Sequence, residues 1–275
     1  MNIRNTVLER IQDDAIQLGS SAGLVEIANN RMEDVGTGVS RHGSGRSIQP
    51  RSKFVHHNII VVGNHLKCRP PAETVFEDWI DNCQYVDAAG VGLNGFAFGM
   101  HADDALGTDG DPRYIYHNTI ILDSPPGHGS VNWSASTRPE YLSALNTHPQ
   151  LLLNNVFLQK GEGYLGNAHA TPSIHGTTYL DGNWHYRANG SEALYFGEEN
   201  TPLTDFDRFR EASGWEVTGV FGDPMLDNNY RAQAKQGMHG GIDLTKWWLL
   251  PGLTTPLPGI ERNNYRAYRG HISPY

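Results

Sequence analysis

The sequence predicts an all-β solenoid, a stack of coils made of short strands joined by turns. The main observation is a repeat in which an Asn precedes a short run of β-branched or aliphatic residues. The repeated residues are Asn5, Asn30, Asn58, Asn118, Asn155 and Asn183, at spacings of 25, 28, 60, 37 and 28 residues. Periods of about 20 to 50 residues indicate stacked supersecondary units, and the longer spacings indicate coils that carry insertions.

The runs beside these Asn residues are typical of strands. Residues 54–62, 114–122 and 151–158 are rich in Ile, Val, Tyr and Leu and are bounded by Gly, Pro, Asn and Asp. No segment between them has a convincing helical period, which disfavours βαβ units. We expect the Asn side chains to stack at the turns, where they would satisfy backbone amides that water cannot reach.

Composition bounds the class of protein. The chain has 275 residues, 31 Gly, two Cys and a formal net charge of −9, with 19% charged residues against about 25% in typical soluble domains. No apolar run approaches the roughly 20 residues of a membrane span, and no hydrophobic signal peptide is evident. An acidic chain without Lys/Arg blocks argues against nucleic acid or an anionic membrane as partner. Cys68 and Cys83 are either bridged, if the protein is exported, or two buried thiols.

We predict one domain with an irregular periphery. Residues 1–200 form the solenoid, with insertions at 64–113 and 123–150, and residues 201–275 form a C-terminal capping segment. Insertions of this length are usually functional in a compact domain. The segment Asp205 to Ala212 has Phe206 and Phe209 at helical spacing after Thr204, a suitable N-cap, which predicts a short helix.

The Asn-containing strands over residues 3–185 resemble right-handed parallel β-helix proteins of the pectate-lyase-like and polygalacturonase-like superfamily. Trp215, Gly222-Asp223-Pro224 and Pro258-Gly259-Ile260 extend the resemblance into the tail. It implies a right-handed parallel β-helix and a carbohydrate-active protein, on a fold that hosts lyases, hydrolases, epimerases and binders. It also implies an exported protein, extracellular or periplasmic.

Two catalytic hypotheses follow. Asp13-Asp14-Ala15-Ile16 resembles the paired aspartates of polygalacturonase-like hydrolases, which activate water and protonate the leaving oxygen. Pairing Ile16 with Val39 puts Thr37 where that family has a His. The alternative for the Asp pair is a turn that leads Ile16 into the core.

The second hypothesis is a lyase. Arg41, His42 and Arg46 lie in a Gly/Ser-rich segment with Lys53 close behind, the densest basic region of this acidic chain. A lyase acting on a uronic acid needs a cation to neutralise the carboxylate and a base to remove the C5 proton. The alternative is a solvated turn.

Acidic and aromatic residues in the insertions complete the predicted site. Asp103, Asp104, Asp109 and Asp111 are predicted ligands of Ca²⁺, which takes about 6–8 oxygens, although Asp-Gly turns give the same pattern. His128, Trp133 and Trp79 are predicted to bind substrate, since flat rings stack on sugars, or else they pack the insertions onto the coil. His57 and His117 occupy matching repeat positions and should lie close together, more as a stacked polar ladder than as a zinc site.

The first hypothesis is therefore a lyase that cleaves an acidic, uronate-containing polysaccharide by β-elimination. The alternatives are a glycoside hydrolase that uses Asp13 and Asp14, and a non-catalytic glycan-binding or structural subunit. The predicted partner is a polysaccharide. The first repeat begins within five residues of Met1. A bare first coil would expose strand edges, so we expect an oligomer or an additional chain to cover it, or else a longer natural chain.

Overall fold

The structure is a computed structural model. It describes residues 1–18, 24–41, 53–62, 96–100, 113–122, 150–160, 166–167, 178–188, 194–195, 202–203, 206–234, 240–245, 257–258 and 269–270. These residues are mostly β, in long parallel sheets with few helices, as in an all-β parallel solenoid. None of the described helices is long and apolar enough to cross a membrane.

The first sheet has six parallel strands stacked in chain order. They are β1 (Asn2–Arg4), β3 (Val25–Ala28), β5 (Lys53–His56), β8 (Arg113–Tyr116), β10 (Gln150–Leu153) and β13 (Thr178–Asp181). Each is short, and its register pairs residue by residue with the coil before and after, for example Ile27 with Val55 and Val55 with Ile115.

The second sheet is built in the same way from the strands that follow each turn. They are β2 (Val7–Leu18), β4 (Arg31–Arg41), β6 (Ile59–Val62), β9 (Thr119–Leu122), β11 (Val156–Gln159), β14 (Trp184–Arg187) and β17 (Val220–Phe221). β2 and β4 are much longer than the rest, and the distal half of β4 pairs with β7 (Phe96–Met100). These five residues, inside the predicted insertion 64–113, therefore form a strand of the stack.

A small third sheet and one helix complete the described elements. The sheet contains β12 (Gly166–Asn167), β15 (Leu194–Tyr195) and β16 (Pro202–Leu203), and the helix is α1 (Phe206–Ser213). The predicted short helix is confirmed, shifted by one residue. Phe206 and Phe209 pack into the hydrophobic core, as its amphipathic spacing requires.

A two-residue turn joins each first-sheet strand to the second sheet. Its first residue has a positive φ, a conformation that Asn adopts more readily than most side chains. The residues at this position are Asn5, Asn29, His57, His117, Asn154 and Gly182, with φ between 53° and 70°. The next residue begins the ladder described below.

The predicted ladder of stacked Asn side chains is confirmed. The Oδ1 atom of Asn118 accepts from the backbone N and the Nδ2 of Asn58, both at 3.0 Å, while its Nδ2 donates to the Val55 carbonyl at 2.9 Å. Asn30, Asn155 and Asn183 repeat the pattern. Every amide of this buried turn column thus finds a partner without water.

The first rung corrects the predicted repeat by one residue. Val7 pairs with Arg31, so Thr6 is the counterpart of Asn30, and the backbone N of Thr6 donates to Asn30 Oδ1 across a separation of 24 residues. Asn5 holds the positive-φ position instead. The prediction that Asn5 is a ladder residue is therefore wrong.

Glu216 closes the other end of the ladder. Its carboxylate accepts from the backbone N of Asn183 at 3.0 Å, from Asn183 Nδ2 at 2.6 Å and from His185 Nε2 at 2.9 Å. Glu216 is fully buried. A carboxylate suits this place because both oxygens accept and neither needs to donate.

The core fills the space between the two sheets. Its first-sheet column is Ile3, Ile27, Val55, Ile115, Leu152 and Leu180, and its second-sheet column includes Leu8, Met32, Ile60, Ile120 and Phe157. Ile3 and Leu8 are only partly buried, and Val7 is 60% exposed. Within the described residues, the core is therefore less well covered at the first coil than further along the stack, and a chain that covers this coil stays a prediction.

C-terminal residues pack against the outside of the solenoid. We call the described residues 240–245, 257–258 and 269–270 the C-terminal strap. Leu244 and Leu257 pack with outward-facing residues of the first sheet, among them Tyr114, Tyr116 and Leu153, in a second hydrophobic cluster. Arg269 donates to the carbonyls of Gly182, Thr218 and Gly240, which fixes the strap to the last coils.

Candidate functional site

Two of the predicted catalytic residues, Asp14 and Arg41, belong to one three-stranded part of the second sheet, and Asp13 directly precedes it. We call residues 14–18, 37–41 and 96–100 of β2, β4 and β7 the three-strand segment. In its register Asp14 pairs with Thr37, and Leu18 pairs with Arg41. Asp14 and Arg41 thus lie on adjacent strands in this part of the stack. Four residues of rise, about 13 Å, separate their positions along the strands.

Two β-bulges precede this segment. Arg10 and Asp34 both have positive φ, 55° and 56°. The pairing of β4 with β6 shifts between Glu33 and Val35, and the pairing of β2 with β4 shifts between Ile11 and Asp14. Ile16 nevertheless pairs with Val39, which confirms the alignment that puts Thr37 beside the Asp pair. Bulges bend a strand and change the direction of its side chains, and they are enriched next to active sites.

The ends of two strands fix where the predicted loops leave the solenoid. Arg41, the last residue of β4, pairs with Met100, the last residue of β7. Neighbouring strands lie about 4.8 Å apart. β4 and β7 therefore end side by side at one edge of the sheet.

The other predicted site residues lie either in the first sheet or outside the residues that the structure describes. Lys53 begins β5 in the first sheet, where it pairs with Val25 and Arg113, so its strand is not in the three-strand segment. The remaining predicted residues lie outside the described residues: His42, Arg46, Trp79, Asp103, Asp104, Asp109, Asp111, His128 and Trp133. Within the described residues, no group of three or more His, Cys, Asp or Glu is placed to hold a metal ion.

A buried polar network that the sequence did not predict lies on the outer face of the first sheet. Glu26 accepts a hydrogen bond from Arg4 and a second from His56 Nε2 at 3.0 Å. The Nδ1 atoms of His56 and His57 are 2.8 Å apart. Glu26 and His56 are 5% and 2% exposed. We call His56 and His57 the imidazole pair.

Within this network Glu26 is ionised and His56 is neutral near pH 7. The hydrogen bond from His56, then that from Arg4, lowers the pKa of Glu26 to about 2, although burial opposes the shift. Burial lowers the pKa of His56, and the hydrogen bond to Glu26 offsets this only in part. His56 is therefore neutral near pH 7, with its Nε2–H directed at the Glu26 carboxylate.

Aromatic rings pack around the pair. The ring of Tyr116 stacks on His56 with centroids 4.9 Å apart and planes 7° apart, and burial raises the pKa of Tyr116 well above its usual value. The rings of His57 and His117 are 5.2 Å apart, which confirms the predicted proximity of these two turn residues.

A signal for this network is present in the sequence. The 28-residue spacing between Asn30 and Asn58 pairs Glu26 with Phe54, two residues before His56. Diagonal neighbours on one sheet face are within reach of long side chains. Aligning the strands by the spacing of the repeated Asn residues therefore places Glu26 and His56 as diagonal neighbours on one face of the sheet.

Comparisons with protein-family models, with curated proteins and with solved structures found no match.

Proposed function

We propose that this chain is a right-handed parallel β-helix protein that cleaves an acidic, uronate-containing polysaccharide by β-elimination. The observation that carries the proposal is the pairing of Arg41 with Met100. It supports a cleft in which the basic segment after β4 and the acidic segment after β7 act on the same substrate. The proposed substrate favours an exported protein, extracellular or periplasmic.

Handedness rests on a general rule. Neighbouring strands of the first sheet are parallel and follow chain order, and so do those of the second sheet apart from β7, which pairs with β4. Parallel strands joined by a crossover are right-handed in about 98% of cases, because a twisted strand packs back onto its sheet only that way. A coil with that crossover is a turn of a right-handed β-helix.

The proposed chemistry assigns two tasks to basic groups. One cation neutralises the uronate carboxylate, and one base removes the proton at C5; the C5–H electrons then form a double bond to C4 as the bond from C4 to the glycosidic oxygen breaks. We assign neutralisation to Arg41, with His42, Arg46 and Lys53 as further candidates for cation and base. A calcium ion held by Asp103, Asp104, Asp109 and Asp111 would supply additional charge at the carboxylate.

The test is an absorbance screen of the purified chain on pectate, alginate, glycosaminoglycans and neutral glycans. We expect an unsaturated product that absorbs near ~235 nm on one acidic polymer, because β-elimination leaves a conjugated double bond. Repeating the screen with a chelator tests the calcium prediction separately. A calcium site requires that the chelator abolish activity, whereas the lyase proposal alone does not. New reducing ends without the absorbance band would instead indicate hydrolysis by Asp13 and Asp14, and no product of either kind would favour a binding or structural role.

A pair of variants sharpens this test. Arg41→Ala should lower kcat/KM by about 10²-fold or more if the guanidinium stabilises charge in the transition state. Arg31→Ala is the matched control, because Arg31 begins the same strand but pairs with Glu33 and Tyr230, away from the three-strand segment. Equal activities of the two variants would contradict the role assigned to Arg41.

A further inference from the structure

The first coil presents an edge of both sheets. Among the described strands, β1 ends the first sheet and β2 ends the second. Edge strands expose backbone N–H and C=O groups that can pair with another strand. The coil also exposes apolar surface, since Val7 is 60% exposed and the interior residues Ile3 and Leu8 are only partly buried. The first coil is therefore suited to bind a further pair of strands.

Hydrogen bonds to the second coil fix which backbone groups of β1 face outward. Asn5 N donates to the Ala28 carbonyl of β3. Backbone groups alternate in direction along a strand, so Asn2 and Arg4 direct their N–H and C=O groups away from β3. These groups lie along the free edge of the first sheet.

The same reasoning applies to β2 and the second sheet. The Thr6 carbonyl accepts from Arg31 N, and β2 then pairs with β4 from Val7 onward. Val7 and Glu9 therefore direct their backbone groups away from β4. Both edges of the coil thus present two outward-facing residues, one residue apart.

A second copy of the chain fits these edges when it is related to the first by a twofold axis through the middle of the turn between β1 and β2. β1 of each copy then runs antiparallel to β2 of the other. Asn2 lies opposite Glu9 and Arg4 lies opposite Val7. Residues with outward-facing backbone groups therefore meet each other, and each such pair exchanges two hydrogen bonds.

This register also matches the interior and the charges. Ile3 lies opposite Leu8 of the second copy in a non-hydrogen-bonded pair, where side chains are closest, and both belong to the core. On the outer face, Arg4 becomes a diagonal neighbour of the exposed Glu9, within reach of a long side chain. The Arg4 side chain is 47% exposed even with its bond to Glu26, so it can contact a second carboxylate.

The other end of the solenoid does not fit these edges. Phe206 and Phe209 of α1 pack into the core at the last coils, and Glu216 accepts from the donors of Asn183. A symmetric contact uses the same surface on both copies and closes with two of them. We infer that the first coil is the interface of a symmetric dimer, in which β1 and β2 pair antiparallel with β2 and β1 of a second copy.

The dimer is weak because one coil of each copy forms the interface. Interfaces below about 1,200 Å² are typical of transient complexes, and we expect a Kd on the order of 10 μM. In dilute solution the chain is a monomer, in which Ile3 and Leu8 stay partly exposed. Unfolding of this monomer is measured well below the Kd.

Sedimentation equilibrium of the full chain, from about 1 μM to about 300 μM, tests the dimer. We expect a reversible rise from the monomer mass to twice that mass, with no larger species. Hydrogen exchange followed by NMR tests the register. The amides of Arg4, Val7 and Glu9 should gain protection as the concentration rises, while those of Ile3 and Leu8, which face the second coil, change little.

Two substitutions at Val7 differ only in the charge that they place opposite Arg4. Val7→Lys should weaken the dimer by about 10-fold or more, because like charges then lie directly opposite each other at two symmetric places. Val7→Glu should leave the dimer at least as tight as in the unmutated chain. Val217→Lys is the matched control, because Val217 is 64% exposed and lies beside Glu216 at the other end of the solenoid. Since Val7 is exposed, urea unfolding at about 1 μM should show little change in monomer stability for its two variants.

Four results would overturn the inference. They are a monomer over the whole concentration range, assemblies that keep growing with concentration, equal weakening by Val7→Lys and Val7→Glu, and weakening by Val217→Lys as strong as that by Val7→Lys. Protection gained at Ile3 and Leu8, and not at Arg4, Val7 and Glu9, would contradict the antiparallel register.

Discussion

The first and the last coils of this solenoid use the same turn but finish the stack differently. At the first coil, Thr6 contributes only a backbone N to the ladder, and the core residues Ile3 and Leu8 are partly exposed. At the last coils, a buried carboxylate from Glu216 ends the ladder, and α1 covers the core. The last described coils thus have a closed end, whereas the first coil leaves its core residues partly exposed.

The difference shows what a repeat leaves undetermined. Each internal Asn donates from its backbone N and its Nδ2 to the Oδ1 of the Asn in the next coil. The final rung, Asn183, has the same donors but no Asn beyond it to accept them, and Glu216 accepts them instead. The chain solves this with a different residue type at the end of the repeat. Glu216 supplies two accepting oxygens where a further Asn would also present a donor.

Substitutions at the two ends of the ladder should give the largest difference in the free energy of unfolding. Glu216→Ala removes the acceptor of three buried hydrogen bonds, and we expect it to lower the free energy of unfolding by about 3–5 kcal/mol. Thr6→Val keeps the backbone N that binds Asn30 and should cost less than about 1 kcal/mol. Urea unfolding of each variant measures both values.

Glu216→Gln serves as the conservative control. It retains one accepting oxygen but directs an amide donor at the donors of Asn183, so its cost should lie between those of the other two variants. Equal destabilisation by Glu216→Ala and Thr6→Val would show that the ladder needs no special closing residue.

The ladder could be predicted from sequence because its signal is local and repeated. Asn58, Asn118 and Asn155 stand directly before apolar runs, and each makes the expected contacts. The error at Asn5 arose where two polar residues precede the strand, because only the pairing of Val7 with Arg31 decides which of them is the rung.

Features that depend on distant parts of the chain were not predicted. β7 lies in a Gly-rich stretch without the Asn repeat, and its identity as a strand depends on pairing with the distal half of β4. The network of Glu26 and His56 depends on cross-strand register and is buried on a face that Leu257 and Tyr116 also occupy. Of the predicted site, register brings Asp14 and Arg41 onto adjacent strands, a relation that no local motif contains.

Core truncations give the next largest contrast between the two ends. Leu152 and Ile3 occupy the same interior column, but Leu152 is fully buried while Ile3 is partly exposed. Leu152→Ala should cost about 2–5 kcal/mol, because a cavity remains in packed surroundings. Ile3→Ala should cost about 1 kcal/mol, since less apolar surface is returned to water. Similar losses in thermal or urea unfolding would mean that the first coil is covered in solution, and the oligomeric state by light scattering would then identify a second copy.

The smallest contrast compares two glycines near the closed end. A Cβ on Gly270, where φ is +80°, would lie 2.8 Å from Val156 Cγ2 and 2.9 Å from Thr119 Oγ1, whereas a Cβ on Gly214, where φ is +69°, meets nothing within 4 Å. Gly214→Ala should therefore cost only the backbone strain of about 1 kcal/mol. Gly270→Ala adds a steric clash worth about 1–3 kcal/mol, and the second sheet cannot move away without breaking its register.

The readout for Gly270→Ala also separates the strap from the solenoid. If the strap can separate from the coils on its own, Gly270→Ala should relieve the clash by detaching residues 269–270. Hydrogen exchange at the backbone amide of residue 270 should then rise, while the amides of β11 keep their protection. If β11 loses protection at the same time, strap and coils unfold as one unit. In that case the closed end is stabilised by the strap itself, and Glu216 accounts for only part of the difference between the two ends.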